Sequence, residues 1–186
     1  MKENKFYSGD LAEIIITEEQ IKKRIKELAE EISACYEPGE ELVMICILRG
    51  AVMFMADLSR EINLPVIFDF MDVSSYGTGT SSSGTVRIIK DLQENIEGRH
   101  VLIVEDILDT GKTLKHVIAM LETRRPASIK VVTLLDKPER RVVKHIVADF
   151  NGFEIPDKFV VGYGLDYAEK YRNLPFIAVL KEELYS

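Results

Sequence analysis

The sequence predicts an α/β fold, a mostly parallel sheet flanked by helices. Three observations lead there. Short apolar runs occupy residues 42–48 and 101–104, with a third, less pure, at 129–135; they are too short for helices, and apolar at neighbouring positions, as strands buried on both faces are. Stretches with helical spacing separate them, which is the pattern of βαβ units. The chain has 186 residues, 46% of them hydrophobic and 30% charged, enough for one domain with a substantial core and no need of staples.

Taken in order, Ile21, Ile25, Leu28, Ala29 and Ile32 follow Thr17 at helical spacing, with Glu18, Lys22, Lys26 and Glu30 elsewhere on the wheel. Thr17 and Gln20 make a capping box, and Pro38-Gly39 stops the helix. Residues 42–48 form a strand, 51–62 a helix behind it, and 65–73 a second strand. A tract of Ser, Gly and Thr with one Tyr and no charge fills 74–84, and a strand resumes over 86–92. Gly98 marks a turn before the strand 101–104, and 113–123 is helical until the break at Pro126. Residues 129–135 and 158–161 supply further strands, while 137–156 and the tail from Asp166 are less regular and are expected to cap one end of the sheet.

The formal net charge is −7, a balance that disfavours extended nucleic acid, whose phosphates are gripped by Lys and Arg. No run approaches the roughly 18 apolar residues of a membrane span, and the polar start lacks a signal-peptide core. A cytoplasmic protein with no nucleic-acid or membrane partner is therefore expected. Cys35 and Cys46 have no second pair nearby, which argues against zinc or a disulfide framework and for two buried free thiols.

Residues 101–113 carry the chemistry. An apolar strand runs into Glu105-Asp106, then a turn with Asp109, Thr110 and Gly111, then a helix. In an open parallel sheet a ligand sits beyond the carboxyl ends of the strands, where these acids emerge. The turn 109–113 offers backbone N–H groups at a helix N-terminus, hydroxyls from Thr110 and Thr113, and close approach at Gly111, which together form a phosphate cradle. Gly111-Lys112-Thr113 matches the end of a nucleotide-hydrolase P-loop, but Asp106 stands where that motif needs its first glycine, so the wrap-around loop is excluded. Two carboxylates facing a phosphate would repel it unless sugar hydroxyls and Mg²⁺ stand between them. A phosphorylated sugar with a metal fits.

Four apolar residues, Glu105-Asp106, two apolar residues and Asp109-Thr110-Gly111-Lys112-Thr113 resemble the 5-phosphoribosyl-1-pyrophosphate (PRPP) signature of type I phosphoribosyltransferases. Leu48-Arg49-Gly50, Ser74-Ser75-Tyr76-Gly77, Leu135-Asp136-Lys137-Pro138 and the segment from Pro156-Asp157-Lys158-Phe159-Val160-Val161 through Tyr163, Leu165 and Asp166 to Tyr167 extend the likeness in family order. The last two resemble the hypoxanthine-guanine branch.

The resemblance implies a single domain over 1–186, with a small hood at the carboxyl ends of the strands built from N- and C-terminal segments. It implies transfer of a 5-phosphoribosyl group from PRPP to N9 of a 6-oxopurine, and a homodimer or homotetramer. By resemblance, Glu105 and Asp106 take the ribose hydroxyls and Mg²⁺, Asp166 a second Mg²⁺, and Asp109 is the general base. Thr110, Gly111, Lys112 and Thr113 take the 5′-phosphate, and Arg49, Gly50, Ser75, Tyr76 and Arg172 face pyrophosphate. Many family members have Lys where Arg49 stands, and Arg offers a planar fork in place of a point charge. The peptide bond before this residue can be cis in the family. Lys137 donates to the purine 6-oxo group and so disfavours adenine, Phe159 stacks on the base, Lys158 belongs to the same purine-binding set, Val160 presents backbone groups to the base edge, and Asp166 is counted with them.

The tract 74–84 reads as a lid, since a flexible linker between two strands of one sheet has no other evident use and a reactive cation needs water kept out. Alternatives stay open at this point: a xanthine-selective or pyrimidine phosphoribosyltransferase, or a nucleotide-sensing RNA-binding regulator of the same superfamily. His100, His116 and His145 have no ligand spacing and are assigned no function.

Overall fold

A computed structural model of the chain describes residues 7, 9–75 and 86–185, and of Ser75 and Val86 the backbone only. The strands and helices are β1 (Leu11–Ile16), α1 (Glu18–Ser33), β2 (Leu42–Leu48), α2 (Val52–Glu61), β3 (Val66–Ser75), β4 (Val86–Lys90), β5 (His100–Leu108), α3 (Lys112–Glu122), β6 (Ser128–Asp136), β7 (Phe150–Glu154), β8 (Val160–Val161) and β9 (Ile177–Leu180). Tyr76 and the rest of the expected lid through residue 84 lie outside the described residues.

The main sheet has the order β4-β3-β2-β5-β6-β7, parallel throughout except for the antiparallel β3–β4 pair. Because side chains alternate along a strand, β2 serves two cores at once. Leu42, Met44 and Cys46 pack with Ile21, Ile25 and Leu28 of α1 and Phe54 and Leu58 of α2. Val43, Ile45 and Ile47 pack with Leu114, Val117 and Leu121 of α3 on the opposite face. That double burial is why β2 reads as a continuous apolar run. The expected capping box is present: Gln20 N–H donates to Thr17 Oγ1 at 3.2 Å, and Thr17 N–H donates to Gln20 Oε1 at 2.8 Å.

The structure corrects four expectations. The stretch 137–156 is not merely a cap: it contains β7, a parallel edge strand beside β6. Gly152 contributes to the irregular look of that stretch, but a Cβ there would fall 2.4 Å from the Leu134 carbonyl oxygen, so it marks a strand lying too close to its neighbour for any side chain. Residues 158–161 do not add a strand to the main sheet, and the tail is more regular than expected: β8 and the tail's β9 join β1 in a second, antiparallel sheet of order β1-β9-β8. Cys46 is buried but Cys35 is exposed, because it falls past the end of α1 and off its apolar face.

From β2 the chain passes through α2 to β3 on one side, and from β5 through α3 to β6 on the other. The loops leaving β2 and β5 therefore diverge, which opens a crevice at the carboxyl ends of two adjacent central strands.

Candidate active site

Each wall of that crevice follows from the strand that delivers it. Beyond β2 come Arg49 and Gly50, and the Leu48–Arg49 peptide bond is cis. Gly50 has to be glycine because a Cβ there would lie 1.5 Å from Asp106 Oδ2. Beyond β5 the chain turns through Asp109 and Thr110 to Gly111, which caps α3 in the left-handed region at φ 78° with no side-chain hydrogen bond to the first turn. Lys112 N–H makes a long 3.4 Å contact to Thr110 Oγ1, and the N–H groups of a helix's first turn, which have no intrahelical acceptor, suit an anion.

Glu105 is 8% exposed, and burial pushes its carboxyl well above the ordinary range, with neighbouring Asp106 adding to the effect. Burial raises Asp106 as well, against the pull of the Ile107 N–H that donates to its Oδ1 at 2.7 Å. Two adjacent carboxylates whose charged forms burial disfavours suit a cation. No third His, Cys, Asp or Glu among the described residues joins them in a closed cage. That donor set fits Mg²⁺, which is held through one or two carboxylates plus substrate oxygens and water.

A cleft of about 290 Å³ brings together Arg49, Gly50, Glu105, Asp106, Asp109, Thr110, Gly111, Thr113, Asp166 and Arg172. Arg172 reaches it from the second sheet's side, donating from Nη1 to the Gly164 carbonyl at 2.8 Å and pairing through Nη2 with Asp166 Oδ1 at 2.9 Å. Gly164, at φ 102°, sits where a Cβ would meet the Gly50 carbonyl oxygen at 1.9 Å. The Tyr163 hydroxyl donates to Asp57 Oδ2 at 2.6 Å, tying this turn to α2. Burial and then the Asp57 partner push the phenol above its ordinary pKa.

The expected purine side lies outside that lining. Lys137 is 7% exposed and donates from Nζ to the Lys158 carbonyl at 2.6 Å, with Asp157 Oδ1 at 3.7 Å. Burial lowers its ammonium, against the opposing charges of Asp109 and Asp157. The Lys158 side chain pairs with Glu13 Oε1 of β1 at 2.5 Å. Phe159 is partly exposed and stacks on Tyr185 with centroids 4.8 Å apart, while Val160 is buried and paired with Val179. Arg140 links the two sides, its Nε 2.9 Å from Asp109 Oδ1 and its Nη1 3.2 Å from Asp157 Oδ1. The backbone of Ser75 ends β3, and Tyr76 falls outside the described residues.

Sequence reasoning missed Arg141. This buried guanidinium donates to the carbonyls of Leu108, Asp109 and Ile146 and pairs with Asp136, so it holds from behind the loop that carries Asp109. The only signal was the pair Arg140-Arg141 shortly after Lys137-Pro138, and nothing in it says which arginine turns inward.

Such a cradle at the divergence of two parallel strands matches the phosphoribosyl transferase domain family, whose model covers residues 13–168, and the chain belongs to that family. Within it, the chain falls among the hypoxanthine-guanine phosphoribosyltransferases. It is 54% identical to the hypoxanthine-guanine phosphoribosyltransferase of Bacillus subtilis, over 95% of this chain and 97% of that protein. The crystal structure of a hypoxanthine phosphoribosyltransferase from Staphylococcus aureus superposes with a TM-score of 0.95 at 51% identity, covering 100% of both chains. The chain is also 51% identical to the bifunctional protein TilS/HprT of Listeria innocua over 98% of its own length, and spans 28% of that relative. Among the described residues no helix is long and apolar enough to cross a membrane.

Proposed function

We propose that the protein transfers the 5-phosphoribosyl group of PRPP to N9 of hypoxanthine or guanine, yielding IMP or GMP and pyrophosphate, as a step of purine salvage. The C1′–oxygen bond to pyrophosphate breaks, the N9–C1′ bond forms, and one proton leaves the imidazole ring of the purine. The observation that carries this reading is the single cleft shared by Glu105, Asp106, Asp109, Thr110, Thr113, Arg49 and Arg172.

In this proposal the first turn of α3, with Thr110, Gly111, Lys112 and Thr113, seats the 5′-phosphate, and Glu105 and Asp106 orient the ribose hydroxyls. Those two carboxylates would hold Mg²⁺, which when bound neutralises charge on the diphosphate. A second cation at Asp166 would compete with Arg172 for Oδ1. Arg49 and Arg172 face the departing pyrophosphate, with Ser75 and Tyr76 closing over it. Asp109 accepts the purine proton. Lys137, released from the Lys158 carbonyl, donates to the 6-oxo group, while Phe159 stacks on the base and the backbone of Lys158 and Val160 meets its edge. We place the enzyme in the cytoplasm, where the exposed Cys35 thiol stays reduced, and infer a homodimer or homotetramer, for which Phe68, Ile88 and Ile89 offer exposed apolar surface.

The test is pyrophosphate release from PRPP with hypoxanthine, guanine, xanthine, adenine or uracil, with Mg²⁺ and after its chelation. Turnover with the first two, little with adenine, and loss of PRPP binding on chelation are expected. Turnover confined to xanthine or uracil, RNA retention without any turnover, or metal-independent PRPP affinity would overturn the reading.

A further inference from the structure

We propose that Glu169 is an internal counter-anion for the two arginines that face pyrophosphate, a positioning residue that weakens their grip so that the product can leave; this rests on the reading of Arg49 and Arg172 given above. A single carboxylate oxygen, Glu169 Oε2, lies 3.1 Å from Arg49 Nη1 and 3.3 Å from Arg172 Nη2. The two guanidinium groups come from distant parts of the chain, one beyond β2 and one from the turn region after β8, and this oxygen is their common partner.

The backbone that presents Glu169 is unusual. Tyr167 and Lys170 exchange N–H···O bonds of 3.3 and 3.0 Å, leaving Ala168 and Glu169 as the central pair of a two-residue turn at φ 50° and 61°. Turns with both central residues in the left-handed region strongly favour Asn and Gly, which lack the steric conflict that Ala and Glu meet there. Asp166 holds the turn in place, its Oδ2 accepting the Glu169 N–H at 2.9 Å while its Oδ1 pairs with Arg172. A glutamate kept in a disfavoured backbone region, with its carboxylate on two arginines at the rim of a ligand cleft, is a local conflict of the kind that marks function.

The charges decide the sign of the effect. Arg49 and Arg172 are matched by Asp166 and Glu169, so the cluster offers an incoming polyanion no net positive charge. Pyrophosphate must compete with Glu169 for the same N–H groups. Glu169 and Arg49 are 67% and 65% exposed, so the carboxylate can be displaced, and an exposed ion pair is worth only about 1.4- to 5-fold in an equilibrium. Removing both ion pairs together would tighten pyrophosphate binding by about 2- to 25-fold.

The test is Glu169→Gln, which keeps the side-chain shape and removes the charge. In the reverse reaction, with nucleotide, pyrophosphate and excess Mg²⁺, the KM for pyrophosphate should fall about 2- to 25-fold while the KM for nucleotide stays the same, and direct titration with magnesium pyrophosphate should show the same tightening. In an Arg49→Ala background the Glu169→Gln effect should shrink to less than about half, because one of the two guanidinium partners is absent. Unchanged or weaker pyrophosphate binding in Glu169→Gln would overturn the proposal while leaving the arginine assignments intact, provided Arg49→Ala and Arg172→Ala each weaken pyrophosphate. If neither alanine variant weakens it, the assignments fall and the proposal with them.

Discussion

Replacing Arg141 by Met should damage both stability and turnover, although Arg141 is not among the residues lining the cleft. Its guanidinium is buried against Asp136 and satisfies the carbonyl oxygens of Asp109 at 2.9 Å, Ile146 at 2.7 Å and Leu108 at 3.1 Å. Met fills much of the volume but leaves the Asp136 carboxylate without its cation and three carbonyls without donors. Breaking a buried pair by removing one partner costs about 3–5 kcal/mol. For a domain of this size each kcal/mol moves Tm by about 2–4 °C, so a fall of about 6–20 °C is expected in a thermal melt. The stranded charge is the main cause, so adding Asp136→Asn to Arg141→Met should restore at least half of the loss. Loosening of the 108–111 loop should also lower kcat by about 10- to 100-fold well below the melt, since small misplacements of a reacting group are costly. A melt lowered by less than about 2 °C, or a double variant no more stable than the single, would refute the assignment of Arg141 as the loop's anchor.

Asp109→Asn should reduce kcat by about 10²- to 10⁴-fold, the range for a lost general base, with PRPP affinity changed only a few-fold; wild-type turnover would remove Asp109 from the proton transfer. Lys137→Met should raise the KM for hypoxanthine and guanine by about 10- to 150-fold, the worth of a hydrogen bond from a charged donor, and narrow the gap to adenine; an unchanged base preference would exclude it as the reader of the 6-oxo group. A thiol reagent at pH 8 should titrate Cys35 quickly and Cys46 only after denaturation, because burial pushes the Cys46 thiol up to about 12; two fast thiols in the folded protein would contradict the packing of β2.

The elements that sequence reasoning located are those whose burial is uniform. β2 and β5 are apolar because both faces are covered, and α1 carries its buried positions at strict helical intervals. The strands it missed have mixed surroundings. β1 shows no alternation because Ala12, Glu13 and Ile14 are exposed in succession and its pairing with β9 is broken by register shifts, and β7, with the sequence Phe-Asn-Gly-Phe-Glu, is a half-buried edge whose glycine imitates a break. β9 is apolar throughout, but it follows Pro175 and pairs with a strand from the other end of the chain, a pairing no local pattern reports. At the site, the phosphate turn was legible because its residue types are dictated by backbone geometry and charge. Arg141, Arg140 and Glu169 were not, since the roles of charged side chains in mixed-charge segments depend on which way the chain folds over them.

The close approach of Gly50 and Gly164 has a consequence for how the sequence can vary. A Cβ on Gly164 would run into the main chain of Gly50, which has no side chain to rotate aside, whereas a Cβ on Gly50 would run into the Asp106 carboxylate. Gly164 is therefore fixed by the main chain across the crevice, while a side chain at Gly50 would act on the site by pushing the Asp106 carboxylate out of place. The loop that bears Arg49 and the turn that leads to Arg172 thus form a single mechanical part, and any displacement of the smaller sheet would be felt directly at the basic wall of the cleft.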